Sequence, residues 1–203
     1  MVTVLKFTGD EPTLVQALRA GHPGAVAVFY DRHAPHVQRT LRAALGPDAD
    51  LPDLLQEVFI RALDGIAELD SPTRVRSWLT SIAVFTARAH IRRRARRKWL
   101  DVFSPERTRS EELQPPSSEA RAALLETYRV LETFPVDDRL AFVLRFVDGA
   151  TLPEGATACG VSLATFKRRL ARAERRFLQA VADRPVLKYW LERGTRWTLQ
   201  EQG

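Results

Sequence analysis

Apolar residues recur at intervals of three and four almost throughout this chain, and no convincing stretch alternates at two. A helix returns a side chain to the same face every 3.6 residues and a strand every second one, so the spacing predicts an all-α protein. Asp10 ahead of Pro12 marks a helix start and Gly21 its stop, around Leu14, Val15 and Leu18. Val26, Phe29, Tyr30, His33, Val37, Leu41 and Leu45 form the next stripe, closed by Gly46-Pro47. Pro35 falls inside it and is expected to kink or split the helix, because it has no amide proton and its ring crowds the preceding turn. A third helix opens at Asp50 or Asp53 and turns Leu55, Val58, Phe59, Ala62 and Ile66 inward. A fourth, from about Thr73, carries Trp78, Leu79, Ile82 and Thr86 and is expected to dissolve into the arginines that follow.

The texture changes over 101–118, DVFSPERTRSEELQPPSS, which has no helical stripe and an acidic balance. That composition predicts a flexible linker. Helical spacing resumes with Leu124, Tyr128 and Leu131, then Leu140, Val143, Leu144 and Val147, and two short helices follow from about Leu152 and Leu163. The expected organisation is a helical domain over 10–100, a linker over 101–118, a second helical domain over 119–182 and an extension over 183–203. Trp190 and Trp197 in that extension are expected to pack on something. The two bodies are expected to stand apart.

Charge narrows the partners. Of 203 residues, 31 are Lys or Arg and 25 Asp or Glu, a net +6 carried almost wholly by arginine. The guanidinium fork pairs bidentately with oxyanions, so phosphate or carboxylate partners are favoured. Cys159 is the sole cysteine, which excludes an internal disulfide and any multi-cysteine metal cluster. No apolar run approaches the roughly 20 residues of a membrane span, and the N-terminus lacks the pattern of a secretory signal. A cytoplasmic protein without membrane insertion is expected. His33 and His36 have no further Cys or His close in sequence, and no phosphate-cradling glycine loop is present. No enzyme activity, catalytic residue, metal or cofactor is therefore expected.

Residues 151–177, TLPEGATACGVSLATFKRRLARAERRF, have the order of a helix-turn-helix: small residues around Ala156, a turn at Gly160, and Ser162 as N-cap. Leu163, Phe166, Leu170, Ala173 and Phe177 recur on one side of the second helix, with Thr165, Arg168, Arg172 and Arg175 opposite and Lys167, Arg169 and Arg176 flanking. Such a helix fits a DNA major groove, and its basic residues also suit a plain solvated face. Earlier, LPDLLQEVFIRAL (51–63) places Asp53, Gln56, Glu57 and Ile60 on one side. That side could dock a basic partner or simply face water. Arg88 to Lys98 holds seven basic residues and no acidic one, near Trp78, Phe85 and Trp99. Charge would track phosphates and rings would offer faces to unpaired bases, or the arginines would only solubilise a helix end.

Together these segments resemble a bacterial extracytoplasmic-function (ECF) sigma factor of RNA polymerase. DLLQEVF (53–59), RSWLTSIA (76–83) and RRRARR (92–97) are similar to the Asp-Leu-x-Gln-Glu-x-Phe helix, the Trp-Leu-x-x-Ile-Ala helix and the arginine cluster of the family. Residues 133–173 are similar to its Leu-Pro-x-x-x-Arg segment, helix-turn-helix and Thr-Val-Lys-x-Arg-Leu-x-Arg-Ala helix. The resemblance implies a sigma region 2-like bundle followed by a sigma region 4-like domain. It implies promoter recognition, DNA melting and transcription initiation with RNA polymerase core, bound through the β and β′ subunits. Asp53, Leu55, Gln56, Glu57 and Phe59 would form the polymerase-docking patch. Arg76, Trp78, Arg88, Arg92 and Arg93 would lie at the melted minus-ten element. Thr165, Lys167, Arg168 and Arg172 would meet the minus-thirty-five element. The acidic strip would thread the polymerase channel, and an anti-sigma factor is a partner the family admits. The alternatives are a helix-turn-helix regulator that binds duplex DNA without core, and a decoy for polymerase or for a sigma inhibitor.

Two positions depart from the family pattern. Val84, Phe85 and Ala89 stand where the family has Arg-Asn and then Asp, which removes polar groups near a displaced base. Gly155 replaces the Ile of Glu-Ile-Ala, and glycine inside a helix costs about 1 kcal/mol relative to alanine, so a weak helix is expected there.

Overall fold

The structure is a computed structural model that describes residues 9–101, 119–182, 184–185 and 187–189. Among the described residues every regular element is helical. Helix α1 (Glu11–Arg19) begins where Asp10 accepts a hydrogen bond from the Thr13 amide at 3.1 Å. Helix α2 (Pro23–Leu45) runs unbroken through Pro35, contrary to the expected split. Pro35 lies on the exposed side, away from the buried row of Phe29, His33, Val37 and Leu41, so the lost amide bond faces water. Val26 and Tyr30, expected in that row, are largely exposed; Ala25 takes the inward place.

Helix α3 (Leu51–Asp64) buries Leu54, Leu55, Val58, Phe59 and Ala62. Two short 3-10 turns, Ile66–Glu68 and Pro72–Arg74, lead into α4 (Val75–Asp101). Helix α4 does not dissolve at the arginines; it continues through all of them. Acids from elsewhere in the chain sit against its basic side chains: Asp48 of the α2–α3 connection beside Arg94, Glu57 of α3 near Arg93, and Asp137 beside Arg88 and Arg92.

The second bundle comprises α5 (Glu119–Glu132), α6 (Val136–Phe146), α7 (Leu152–Cys159) and α8 (Leu163–Ala182) around Leu131, Leu140, Phe142, Leu144, Phe166 and Phe177. Helix α7 is secured at both ends. Thr151 and Glu154 make a reciprocal capping box, and Gly160 closes the helix in the left-handed conformation at φ 66°. Gly155 also has a structural cause: a Cβ there would lie 2.3 Å from Cζ of Phe166, so the phenyl ring fills the space a side chain would need.

The two bundles abut, which corrects the expectation that they stand apart. Helix α6 packs on α2 and α4, and α4 packs on α7. Arg139, only 5% exposed, donates from Nε to the Ala44 carbonyl at 3.0 Å and from Nη2 to that of Leu45 at 3.2 Å. Those carbonyls end α2 and have no partner within the helix, so a cation there is well placed. Burial depresses the Arg139 pKa. Tyr128 donates to the Arg42 carbonyl, and its ring lies where a Cβ on Gly46 (φ 76°) would come within 2.8 Å. Apart from Asp101, the acidic strip 101–118 lies outside the described residues, as do Trp190 and Trp197.

Candidate nucleic-acid interface

Helix α4 displays its basic residues unevenly. Arg92, Arg93, Arg94, Arg96 and Arg97 are exposed, as is Arg76 near the helix start. Trp78 is half-buried against the core, its ring edge facing Gly65, and presents only part of its surface. Phe85, by contrast, is 53% exposed and carries the Arg61 guanidinium 5.3 Å above its ring. Among the aromatic residues expected at this face, Phe85 is thus more open than Trp78. Val84, expected to stand near a displaced base, is buried in the core.

Arg88 is held inside the interface. Its Nε lies 3.0 Å from Oδ1 of Asp137, an ion pair without hydrogen-bond alignment, and its Nη2 donates to the Cys159 carbonyl at 3.2 Å. It therefore bridges the start of α6 and the end of α7. Cys159 itself is buried, and burial pushes its thiol above the ordinary value.

On α8, Ser162 caps the helix by accepting from the Thr165 amide at 3.2 Å, and Thr165 is half-buried. Lys167, Arg168 and Arg175 are exposed. Arg172 differs from the expectation for it. Its Nε and Nη2 reach the two carboxylate oxygens of buried Asp138 at 3.2 and 2.8 Å, and this pairing raises the guanidinium's pKa. Arg172 fastens α8 to α6, a structural engagement that competes with any DNA contact. Arg169, expected to flank the outward face, pairs with Asp137 at 3.4 Å. The sequence signal for these acids was the Asp137-Asp138 pair two residues after Pro135, in the first turn of a helix, where carboxylates complement the N-terminus.

The face expected to dock polymerase is divided. Leu55 and Phe59 are 9% and 5% exposed, so they belong to the core and not to a surface patch. Phe59 packs edge-on to Phe29 with centroids 5.7 Å apart and against Tyr30 at 4.7 Å. Asp53, Gln56 and Ile60 are exposed, and Glu57 is half-buried, accepting from Arg61 at 2.8 Å. The row of spacing that buries Leu55 and Phe59 is the same one read for the core.

The histidines are structural. His33 Nε2 sits 2.8 Å from Glu11, and His36 Nε2 sits 2.8 Å from Thr80. Burial lowers the His36 pKa, and Arg76 adds to the shift. Asp48, Asp50 and His90 bring one ligand atom each within 4.8 Å of one another. Arg94 already donates to Asp48 at 2.9 Å, so that set is an ion-pair cluster. Burial would raise the Asp48 pKa, but the Asp50 amide, His90 and Arg94 together hold it below the ordinary carboxylate value.

Residues 29–97 match the Sigma-70 region 2 family and residues 124–177 match Sigma-70, region 4. A probable RNA polymerase sigma-C factor of Mycobacterium bovis is 30% identical over 172 residues, covering 81% of this chain and 88% of that protein. The ECF RNA polymerase sigma-E factor of Escherichia coli K12 is 27% identical over 172 residues, covering 80% and 90%. The chain belongs to the ECF sigma factors. It is a transcription-initiation factor that works with RNA polymerase core at promoter DNA. The structure of the sigma factor RpoE from Bartonella quintana, solved with the anti-sigma factor NepR, shares this sigma factor's fold with a TM-score of 0.57 at 19% identity, covering 78% of this chain and 97% of that one. These sigma-factor relatives support promoter-directed initiation over a stand-alone helix-turn-helix regulator or a decoy. Among the described residues no helix is long and apolar enough to cross a membrane.

Proposed function

We propose that the outer face of α3 docks RNA polymerase core through Asp53, Gln56, Glu57 and Ile60, that α4 holds the opened minus-ten strand, and that α8 reads the minus-thirty-five element. Leu55 and Phe59 support the docking face from behind. The observation that carries this reading is the separation of surfaces: α3 exposes an acid, an amide and an isoleucine on one helix, while exposed guanidiniums line two others. Exposed Arg76, Arg92 and Arg93 supply phosphate contacts on α4, and Phe85 offers a ring face to an unpaired base. On α8, Lys167 and Arg168 are free to enter a major groove; Arg172 orients the helix through Asp138. The region 2-like domain spans 10–100 and the region 4-like domain 119–182. The factor acts in the cytoplasm by binding alone, without catalysing a reaction. An anti-sigma factor is a fitting regulator, since the RpoE relative was solved with one.

The test of docking is co-purification with core polymerase. Gln56→Ala combined with Ile60→Asp is expected to weaken core binding at least tenfold while the free protein melts as before, because both side chains are exposed. Undiminished binding would remove α3 from the interface. For the upstream element, Arg168→Ala is expected to cost about 1–3 kcal/mol at one base position and to relax preference there. Initiation assays on promoters altered at each upstream base check this. A uniform loss across all sequences would make Arg168 a phosphate contact instead.

A further inference from the structure

Resting on the reading of α4 and α8 as promoter-binding helices, we infer that Asp137 is an internal stand-in for promoter phosphate that latches this sigma factor shut. One carboxylate, at the second position of α6, receives three guanidiniums: Arg88 at 3.0 Å and Arg92 at 3.6 Å from α4, and Arg169 at 3.4 Å from α8. Asp137 is partly buried, as are Arg88 and Arg169, whose side chains are each 19% exposed. Screening by water is therefore weaker than for a surface pair. Arg88 adds a neutral bond to the end of α7. The latch thus joins one bundle to the other through arginines of both proposed DNA-reading helices.

The geometry makes this state incompatible with a complete promoter complex. Elements centred at minus ten and minus thirty-five are about 25 base pairs apart, roughly 85 Å at 3.4 Å per step. A compact chain of 203 residues has a radius of gyration of about 17 Å, or roughly 45 Å across. Arginines that share one carboxylate cannot also reach sites that far apart. The bundles must separate before both helices touch DNA, and α4 then gives up Asp137. On separation Arg88 and Arg92 of α4 become available to phosphates, while Arg169 stays beside Asp137 within the second bundle. The latch therefore suppresses DNA binding by the free factor through α4 and yields it when core draws the domains apart.

The charge balance says what removing it does. Three cations face one anion, so neutralising Asp137 leaves Arg88, Arg92 and Arg169 repelling one another across the interface. The contacts on the α2 side, from Arg139 and Tyr128 to backbone carbonyls, are unaffected. The experiment compares the full-length wild-type protein with Asp137→Asn, Asp137→Glu, and Asp31→Asn as an exposed control of equal charge change. Small-angle scattering gives the radius of gyration, and fluorescence anisotropy gives affinity for a promoter duplex without core. Asp137→Asn is expected to expand the protein and tighten duplex binding at least tenfold, while Asp137→Glu and Asp31→Asn stay close to wild type. An unexpanded Asp137→Asn protein with unchanged affinity overturns the latch, as does an equal gain in Asp31→Asn. Should Asp137→Asn not fold, the wild type decides. Raising salt from about 0.1 to about 1 M shortens the screening length from about 10 to about 3 Å, and the folded protein should expand. A constant radius over that range overturns the proposal. Expansion without promoter binding, even with core present, would instead refute the assignment of α4 and α8 to DNA and leave the latch standing.

Discussion

Gly155→Ile is expected to destabilise the region 4-like bundle, although helix propensity alone would make it stabilising. Glycine is among the poorest helix formers, and replacing it usually gains about 0.5–1 kcal/mol. Here the gain is overwhelmed, because the first added carbon would sit 2.3 Å from Cζ of Phe166 and 2.8 Å from Cε1. Phe166 is fully buried in the core of that bundle. Overpacking by even a methylene or two costs about 1–3 kcal/mol, and isoleucine adds four carbons. For a bundle of this size each kcal/mol lowers the melting temperature by about 4–8 °C, so a drop of more than about 10 °C is expected. The family resemblance supplies the rescue. Where this chain has Gly155 and Phe166, the family pattern has Ile and Val, so the large side chain has changed helices. Gly155→Ile with Phe166→Val should recover most of the loss. A thermal double-mutant cycle checks this, with a favourable coupling of about 2 kcal/mol expected. Additive effects would show that the ring does not set the glycine.

Phe59→Ala is expected to destabilise the N-terminal bundle by about 3–5 kcal/mol, the range for truncating a buried phenylalanine. Its ring is 5% exposed and wedged between Phe29 and Tyr30, so its loss leaves a cavity between α2 and α3. Chemical denaturation of the free protein measures it, with a lower midpoint and an unchanged slope. Gln56→Ala, one turn earlier on the exposed side, should leave that midpoint within about 0.5 kcal/mol. The pair separates the two meanings of a shared motif. If Phe59→Ala kept full stability and lost only polymerase binding, the ring would belong to the docking surface and not to the core.

Much of the fold was legible because helices are local. Several boundaries, among them those at Asp10, Thr151, Gly160 and Ser162, were marked by a cap or a glycine whose effect is exerted within one turn. The continuity of α2 was also legible in principle, since Pro35 lies off the stripe of His33 and Val37 and so faces solvent. The persistence of α4 through its arginines was not. The acids that offset their mutual repulsion are Asp48, Glu57 and Asp137, drawn from other parts of the chain. The same holds for Arg172, which periodicity alone placed on the outward face of α8; Asp138, 34 residues away, turned it into a tie between helices.

The pattern of apolar spacing, caps and basic runs determined by itself that this chain is helical, where its helices begin, and which family it belongs to. Those properties depend on neighbours a turn or two apart and on residue types in a given order. Which arginines face solvent, why Gly155 must lack a side chain, and how the two bundles meet were decided by tertiary structure. Electrostatic and steric interactions act over a few ångströms of space regardless of sequence distance, so a carboxylate such as Asp137 acquires its role only once three separate arginines have been folded onto it.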